Sequence, residues 1–226
     1  MDAAELVVDA ALLERARAVL GTSNTRDTLE RALSLAIQEA RLRQAIGAEV
    51  SRLESGRYCA LPEGRGSLRP QPKPGSDPAG SAMSLVPLPA GVLIDTSALA
   101  VSDHRQVSEG LAMLIRSGTA VTCPLLDAEA LSVARSPEEY AELATSRQLA
   151  YRSIPLSAAI GTRMAELQAL LARHVHLGAA APGDLQVAAT ALEHELRLVH
   201  YSAVFELLGQ LARLDQVPVA PLGSLR

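Results

Sequence analysis

The chain has 226 residues, of which 48% are hydrophobic and 20% are charged, and its formal net charge is -4. This composition is typical of a globular protein, and the length is sufficient for one full domain and a smaller one. The mild acidity argues against a large basic surface for nucleic acid, although it is compatible with a small acidic metal pocket that acts on RNA.

The two cysteines, Cys59 and Cys123, lie in different regions and do not have the spacing of a metal site. They predict a reducing compartment and no disulfide framework. The sequence shows no signal peptide and no apolar run long enough to cross a bilayer. We therefore expect a cytoplasmic protein without membrane association.

Residues 1–60 are predicted to form a first, mainly helical unit. Glu5–Val8 is a short strand candidate, and a helix from Ala10 to Leu20 should end at Gly21, a common residue after helix C-termini. A second, long helix is predicted from Arg26 to about Arg52. Its apolar stripe has helical spacing and consists of Leu29, Leu33, Ala36, Ile37 and Ala40. Such a small unit buries little surface alone, so we expect it to dimerise or to dock.

The strand candidate, LLERARAVLGT at residues 12–22 and TRDTLERAL at residues 25–33 together resemble a ribbon-helix-helix antitoxin of the VapB type. The resemblance implies a dimer whose paired strands enter the major groove of DNA. The outward strand positions Ala3, Glu5 and Val7 cannot donate a hydrogen bond to a base, and Glu5 repels phosphate. We expect the fold to be kept and operator binding to be weak or lost.

Residues 61–90 are predicted to be a linker, because proline and glycine occur too densely for a regular helix or strand. Met83 could have been the first residue of a separate protein. The chain therefore reads as two proteins joined end to end, and both a natural and an engineered fusion remain open.

Beyond residue 90, predicted strands and helices alternate, which indicates an α/β domain with a parallel sheet covered by helices on both faces. Strands are predicted near residues 91–94, 120–123, 151–154, 197–200 and 217–219. Helices are predicted over residues 106–117, 125–131, 137–148, 157–174, 182–196 and 204–211.

The first of these strands ends on a carboxylate, Asp95, which is followed by Thr96 and Ser97. In open α/β sheets, ligands bind at the carboxyl ends of the strands, so an acid at this position points to chemistry. Asp is also a common helix N-cap, and Asp95 could cap a helix that starts near Ser97. The stretch alone leaves both interpretations open.

Two further acids occupy comparable positions: Glu129 in the helix after the second strand, and Asp184 at the start of a later helix. Right-handed crossovers bring such positions to one edge of a sheet. Clustered carboxylates repel one another unless a cation neutralises them, and their oxygens suit Mg²⁺ or Mn²⁺. Taken singly, Glu129 could be a solvated helix residue and Asp184 a helix cap. Taken together with Asp95, they favour a metal cluster.

Three sequence blocks carry these acids: LIDTSAL at residues 93–99, TCPLLDAEALSVARSPEEY at 122–140 and GDLQVAATALEH at 183–194. Together they resemble a PIN-domain toxin of the VapC type, and the resemblance covers essentially residues 83–226. It implies a metal-dependent endoribonuclease that cuts structured RNA, often tRNA, and is silenced by its VapB partner. On this resemblance Asp95, Glu129 and Asp184 match the first three acids of the family's four.

The fourth acid of that family is missing from this sequence. The family usually has His-Tyr-Asp-x-Asp-Phe after its last core strand, whereas this chain has HYSAVF at residues 200–205. Ser202 and Val204 replace the acids. Ser202, like Ser97, could hold a metal-bound water through its hydroxyl, and Val204 could not. Because each lost anion weakens cation binding, we expect attenuated or absent ribonuclease activity, with an inactive interaction or assembly module as the rival interpretation.

In the same family the antitoxin tail crosses the acidic cleft of the toxin, often with an arginine. Arg52, Arg57 and Arg65 are the candidates in this sequence, and Arg57 lies beside a possible aromatic contact, Tyr58. We therefore consider Arg57 as an inhibitory plug, with a solvated arginine as the alternative. Fusion would hold the tail at an effective concentration on the order of millimolar. Self-association through both domains is also expected.

Overall fold

The computed structural model describes residues 8–61, 91–174, 176 and 178–225. The strand predicted at residues 5–8 lies outside these ranges apart from Val8, and the linker predicted at residues 61–90 lies outside them apart from Leu61. The chain divides into two compact units, Met1–Gln44 and Ala45–Arg226.

The first unit contains helix α1 (Ala10–Leu20) and most of helix α2 (Thr25–Glu54). Asp9 caps α1 by accepting a hydrogen bond from the Leu12 amide at 2.8 Å. The helix ends at Gly21, which adopts the left-handed conformation that the sequence predicts for this position. No residue of α1 is buried, and apolar side chains of both helices are exposed. This exposure is consistent with a unit that needs a partner surface.

The second unit is built on a five-stranded parallel sheet, in the order β3-β2-β1-β4-β5. The strands are β1 (Val92–Ile94), β2 (Ala120–Thr122), β3 (Arg152–Ser153), β4 (Arg197–His200) and β5 (Gln216–Pro218). Leu93 on the central strand lies opposite Val121 of β2 and Leu198 of β4. The predicted α/β class with a parallel sheet is confirmed.

Seven α-helices follow β1 in the described part of the chain, and they cover the sheet. They are α3 (Thr96–Leu99), α4 (Arg105–Arg116), α5 (Pro124–Leu131), α6 (Pro137–Ala150), α7 (Ala158–Arg173), α8 (Pro182–Glu193) and α9 (Ala203–Ala212). Proline occupies the first turn of α5, α6 and α8, where its missing amide hydrogen costs nothing. None of the described helices combines the length and apolar character needed to cross a membrane.

The apolar core has two layers, one on each face of the sheet. Val92 and Ile94 belong to one cluster and Leu93 to the other, because successive residues of a strand point to opposite faces. The chain enters β1 through Gly91 at a φ of 113°, and a Cβ there would lie 3.2 Å from the Thr119 carbonyl oxygen. Only glycine therefore allows the two backbones to approach so closely.

The C-terminal part of α2 belongs to the second unit, together with a 3₁₀ helix at Arg57–Ala60. Leu53 and Tyr58 are fully buried in the same apolar cluster as Val92. The compact units therefore divide between Gln44 and Ala45, whereas the sequence suggested a division at residue 60. The reason is that the apolar residues after Ala45 complete one face of the core.

Candidate functional site

The sheet order creates a crevice at the carboxyl ends of β1 and β4. From β1 the chain moves to β2 and β3 on one side, and it later returns to place β4 and β5 on the other side. Ligands in open α/β sheets bind where the strand order reverses in this way. The residues that follow β1 and β4 therefore border the candidate site.

Asp95 follows β1 at this edge and is only 2% exposed. Its Oδ2 atom accepts a hydrogen bond from the Ser97 amide at 2.9 Å and another from the Ser97 hydroxyl. Asp95 is thus the N-cap of α3, which is one of the two roles that the sequence left open. The capping hydrogen bonds orient the Asp95 carboxylate at the strand end. The other role that the sequence left open, that of a metal ligand or catalytic acid, also requires a carboxylate oriented at this position.

Ser97 links the ends of the two strands that border the crevice. Its hydroxyl donates to Asp95 after β1 and accepts a hydrogen bond from the Tyr201 amide after β4 at 3.0 Å. Since Ser97 is itself buried, this bridge is largely shielded from water and connects the two strand ends. Ser97 therefore acts on the geometry of Asp95.

Glu129 lies on α5, which packs against α3. The Thr96 hydroxyl donates a hydrogen bond to Glu129 Oε2 at 2.7 Å. Because Thr96 directly follows Asp95, this bond brings the Glu129 side chain to the same strand end. The sequence analysis singled out both acids and did not identify Thr96, whose role depends on a contact between two separate elements.

Asp184 lies in the first turn of α8, a helix that packs against both α5 and β4. It is only 1% exposed, and its Oδ2 atom accepts a hydrogen bond from the Ala181 amide at 2.9 Å. The capping role that the sequence left open for Asp184 is therefore present. The three elements that carry Asp95, Glu129 and Asp184 are connected by direct packing through α5.

The position of the missing fourth acid is occupied by residues of two different kinds. Ser202 is buried at the N-cap of α9, and its amide donates a hydrogen bond to His200 Nδ1 at 3.0 Å. Val204 is fully buried in the apolar cluster that also contains Leu198 and Phe205. Val204 therefore contributes to the core, and Ser202 is the remaining polar side chain of this segment.

A divalent cation suits the donor chemistry at this edge, because the side chains offer carboxylate and hydroxyl oxygens. Asp95 and Asp184 are also buried, and a nearby cation stabilises buried carboxylates. Within the described ranges, no three His, Cys, Asp or Glu side chains are already grouped closely enough to hold one metal ion. The three-carboxylate cluster of Asp95, Glu129 and Asp184 accordingly stays a prediction.

The arginines suggested as plugs are bound elsewhere or lie outside the described residues. Arg57 forms an ion pair with Glu139 of α6, and Arg52 donates to Ser146 of α6 at 2.6 Å. Arg65 lies outside the described residues. The ion pair with Glu139 accounts for the position of Arg57, and an inhibitory role for this residue remains a prediction.

His200 ends β4 and is held as a neutral side chain in one tautomer. Its Nδ1 atom accepts the Ser202 amide hydrogen, so the proton must reside on Nε2, which donates to Gln216 Oε1. Burial lowers the pKa of His200 from its ordinary value of 6.5. Protonation of His200 would place a hydrogen on Nδ1, opposite the amide hydrogen of Ser202. The amide of Ser202, the N-cap residue of α9, would then lose its hydrogen-bond acceptor.

This arrangement predicts a dependence of stability on pH. As the pH falls through 6.5, the unfolded chain takes up a proton at residue 200 and the folded chain does not, so the free energy of unfolding decreases. We expect His200→Gln to show a weaker loss of stability between pH 7.5 and pH 5.5 than the wild type, measured by urea unfolding. The exposed His194→Gln is the control and should keep the wild-type loss; equal losses in all three proteins would contradict the prediction.

A model of the PIN domain matches residues 92–209, and no curated protein matches the chain. Among solved structures, VapBC2 from Rickettsia felis bound to a promoter DNA fragment is 17% identical with a TM-score of 0.46, covering 56% of this chain and 97% of that chain. FitAcB from Neisseria gonorrhoeae is 18% identical with a TM-score of 0.43, covering 57% of this chain and 97% of that chain. The family match spans more than half of the sequence and includes Asp95, Glu129 and Asp184, so the chain belongs to the PIN domain family.

Proposed function

We propose that this protein is a metal-dependent ribonuclease, with Asp95, Glu129 and Asp184 as the ligands of Mg²⁺ or Mn²⁺. The observation that carries the proposal is the hydrogen bond from Thr96 to Glu129, which brings two carboxylates to the carboxyl end of the central strand. Membership of the PIN domain family supports it, since the sequence resembles the VapC nucleases of that family at all three acids.

A bound cation would lower the pKa of a coordinated water and stabilise the charge that develops on a phosphodiester. The chain itself positions the ligands. Ser97 orients Asp95, Thr96 orients Glu129, and the Ala181 amide orients Asp184. The hydroxyls of Ser97 and Ser202 are the candidate auxiliary groups for holding a water near the cation.

The activity is attenuated in this proposal, because the fourth acidic position supplies no carboxylate. Val204 is buried in the core and Ser202 is neutral. A site with three carboxylates attracts a cation less strongly than one with four. The substrate class is structured RNA, with tRNA as the first candidate from the resemblance to VapC.

The first unit is proposed to be an antitoxin-like ribbon-helix-helix module fused to the PIN domain. Its helices expose apolar side chains, among them Val19 at 84% and Leu33 at 58% exposure. Such a surface favours self-association with the same unit of a second chain. We expect at most weak DNA binding, because the negative charge of Glu5 repels phosphate.

The second candidate is a catalytically inactive PIN domain that serves as an interaction or assembly module. The observation that favours it is the burial of Val204. At a position where VapC-type proteins usually have an acid, this chain has an apolar side chain that packs in the core. The two candidates differ in whether the remaining acids still bind a metal ion.

Calorimetric titration with Mn²⁺ distinguishes the two candidates. We expect the wild-type chain to bind Mn²⁺ and Asp95→Asn to bind it at least about tenfold more weakly, because the variant loses a charged ligand. Asparagine can still cap α3 through its side-chain oxygen, so the fold should be preserved. Binding would then justify assaying Mn²⁺-dependent cleavage of tRNA by the same two proteins.

Asp215→Asn is the matched control, because Asp215 precedes β5 and pairs with Arg197 at the start of β4, at the opposite edge of the same sheet. It should bind Mn²⁺ as the wild type does. Equal affinity of the wild type and Asp95→Asn, or no binding by either, would exclude the proposed site and favour the interaction module.

A further inference from the structure

A buried guanidinium in the second unit connects elements that are distant in sequence. Arg147 on α6 is only 4% exposed, and its Nε atom donates to Asp127 Oδ1 at 2.9 Å. Its Nη2 atom donates to the Thr122 hydroxyl at 3.3 Å, and its Nη1 atom donates to the Tyr58 hydroxyl at 3.4 Å. The same Nη1 atom lies 3.7 Å from Glu49 Oε2. Arg147 thus joins α5, the end of β2 and the segment that precedes residue 62.

Glu49 is the fully buried carboxylate of this network, and both of its oxygens accept hydrogen bonds. Oε2 accepts from the Tyr58 hydroxyl at 2.7 Å. Oε1 accepts from the Ser146 hydroxyl at 2.8 Å and from Arg52 at 2.9 Å. A buried carboxylate is tolerated only with such partners. Burial and the adjacent Glu49 charge also raise the pKa of the Tyr58 phenol, so this residue remains a hydrogen-bond donor.

The same segment completes the apolar core. Leu53 and Tyr58 are fully buried and Leu61 nearly so, in one cluster with Val92 and Ile94 of the central strand. Removal of these side chains would take three buried apolar groups out of this cluster. Contacts that dissociate readily are usually more polar than a domain core. By this criterion the segment belongs to the core.

Ion pairs at the edge of this buried contact hold the more exposed residues of the same segment. Arg57 pairs with Glu139 at the start of α6, and Glu54 lies 3.6 Å from Arg116 at the end of α4. Gly56 turns the chain between the two helices with a φ of 66°, and a Cβ there would lie 3.6 Å from Asp103. The segment is therefore bound on several sides.

We propose that residues 45–61 are a permanent part of the PIN domain in this chain, docked on the pocket around Arg147, and are not an inhibitor that dissociates. The pocket fits a helix that presents a carboxylate and, nine residues later, a phenol, as Glu49 and Tyr58 do. A segment without this carboxylate would leave the Arg147 guanidinium with fewer partners. The buried charge of Arg147 therefore favours binding of this segment over binding of a segment that lacks the carboxylate. The inference does not depend on nuclease activity.

Docking of this segment also supports the carboxyl edge of the sheet. Asp127, which Arg147 holds, lies on the same helix as Glu129, and Thr122 ends β2 beside that helix. Loss of the segment would loosen α5 and with it Glu129. Release of residues 45–61 should therefore weaken metal binding at the candidate site. Release of an inhibitor that only covers the site would have the opposite effect.

The test is to insert a protease site after Gly75 in the full chain, cut the purified protein, and follow exchange of the N-terminal piece against an excess of labelled competitor piece. We expect the two pieces of the wild type to stay together and to unfold in one transition. Glu49→Gln should accelerate exchange by at least about tenfold, because the buried ion pair with Arg147 is lost. Glu54→Gln, at the exposed end of the same helix, is the control and should change exchange little.

Hydrogen exchange on the uncut chain provides a second measurement that needs no variant. We expect the amides of residues 49–54 to be protected within about tenfold of those of β4, since both should open only with the whole unit. Spontaneous separation of the cut wild-type pieces, exchange of residues 49–54 far faster than β4, or equal effects of Glu49→Gln and Glu54→Gln would each overturn the proposal.

Discussion

Replacing Arg147 with methionine is expected to lower the free energy of unfolding of the second unit by about 3–5 kcal/mol. Methionine fills much of the volume and removes the charge, so Glu49 and Asp127 would lose their common partner inside the protein. The Arg147 guanidinium also lies 4.6 Å from the centre of the buried Tyr151 ring, and this contact would be lost as well. Urea unfolding followed by circular dichroism measures the change.

Arg163→Met is the matched control for this experiment. Arg163 on α7 also pairs with two carboxylates, Glu166 and Glu193, but its side chain is 43% exposed. Exposed pairs of this kind contribute about 1 kcal/mol or less. Adding Glu49→Gln to Arg147→Met should recover part of the lost stability, because it removes a buried charge that would keep only Arg52 as its cationic partner. A loss as small as that of Arg163→Met would show that the network contributes little.

The elements that the sequence predicted well are those determined by local chemistry. Gly21 ends α1 in the left-handed conformation, which glycine adopts at little steric cost, and Pro137 and Pro182 begin the predicted helices, since proline fixes its own φ. The alternation of apolar runs with helical stripes was sufficient to predict a parallel sheet. β3 is shorter than the predicted strand at residues 151–154, since only Arg152 and Ser153 pair with β2.

The features that the sequence did not reveal depend on contacts between distant residues. The sequence did not single out Glu49 on α2, whose partner Ser146 is 97 positions away. No local pattern indicates that such a carboxylate is buried. For the same reason the sequence did not assign Ala45–Leu61 to the second unit. Strand topology, in contrast, was sufficient to place Asp95 at the carboxyl edge of the sheet, since every parallel strand ends at that edge.

Replacing Val204 with aspartate, which restores the family's acid, is the second change with a large expected effect. Without added metal we expect the free energy of unfolding at pH 7 to fall by about 3 kcal/mol or more, because Val204 is fully buried in the apolar core. Burial raises the pKa of such a carboxyl, so the unfolded chain releases its proton at a lower pH than the folded chain. The loss should therefore be smallest below pH 4, where only the cost of burying a neutral carboxyl remains, and should grow as the pH rises.

Mn²⁺ should restore part of this stability if the new carboxylate reaches the site bordered by Asp95 and Ser202. We expect the urea midpoint of Val204→Asp to rise on addition of Mn²⁺ by more than that of the wild type, because a ligand that binds only the folded state stabilises it. Val204→Thr keeps the shape and adds a neutral hydroxyl, so it should be destabilised by about 1–3 kcal/mol and should respond to Mn²⁺ no more than the wild type. A Val204→Asp protein that stays destabilised at saturating Mn²⁺ would show that position 204 faces only the core. The chain would then have lost its fourth ligand through repacking, and the interaction module would become the better description of the domain.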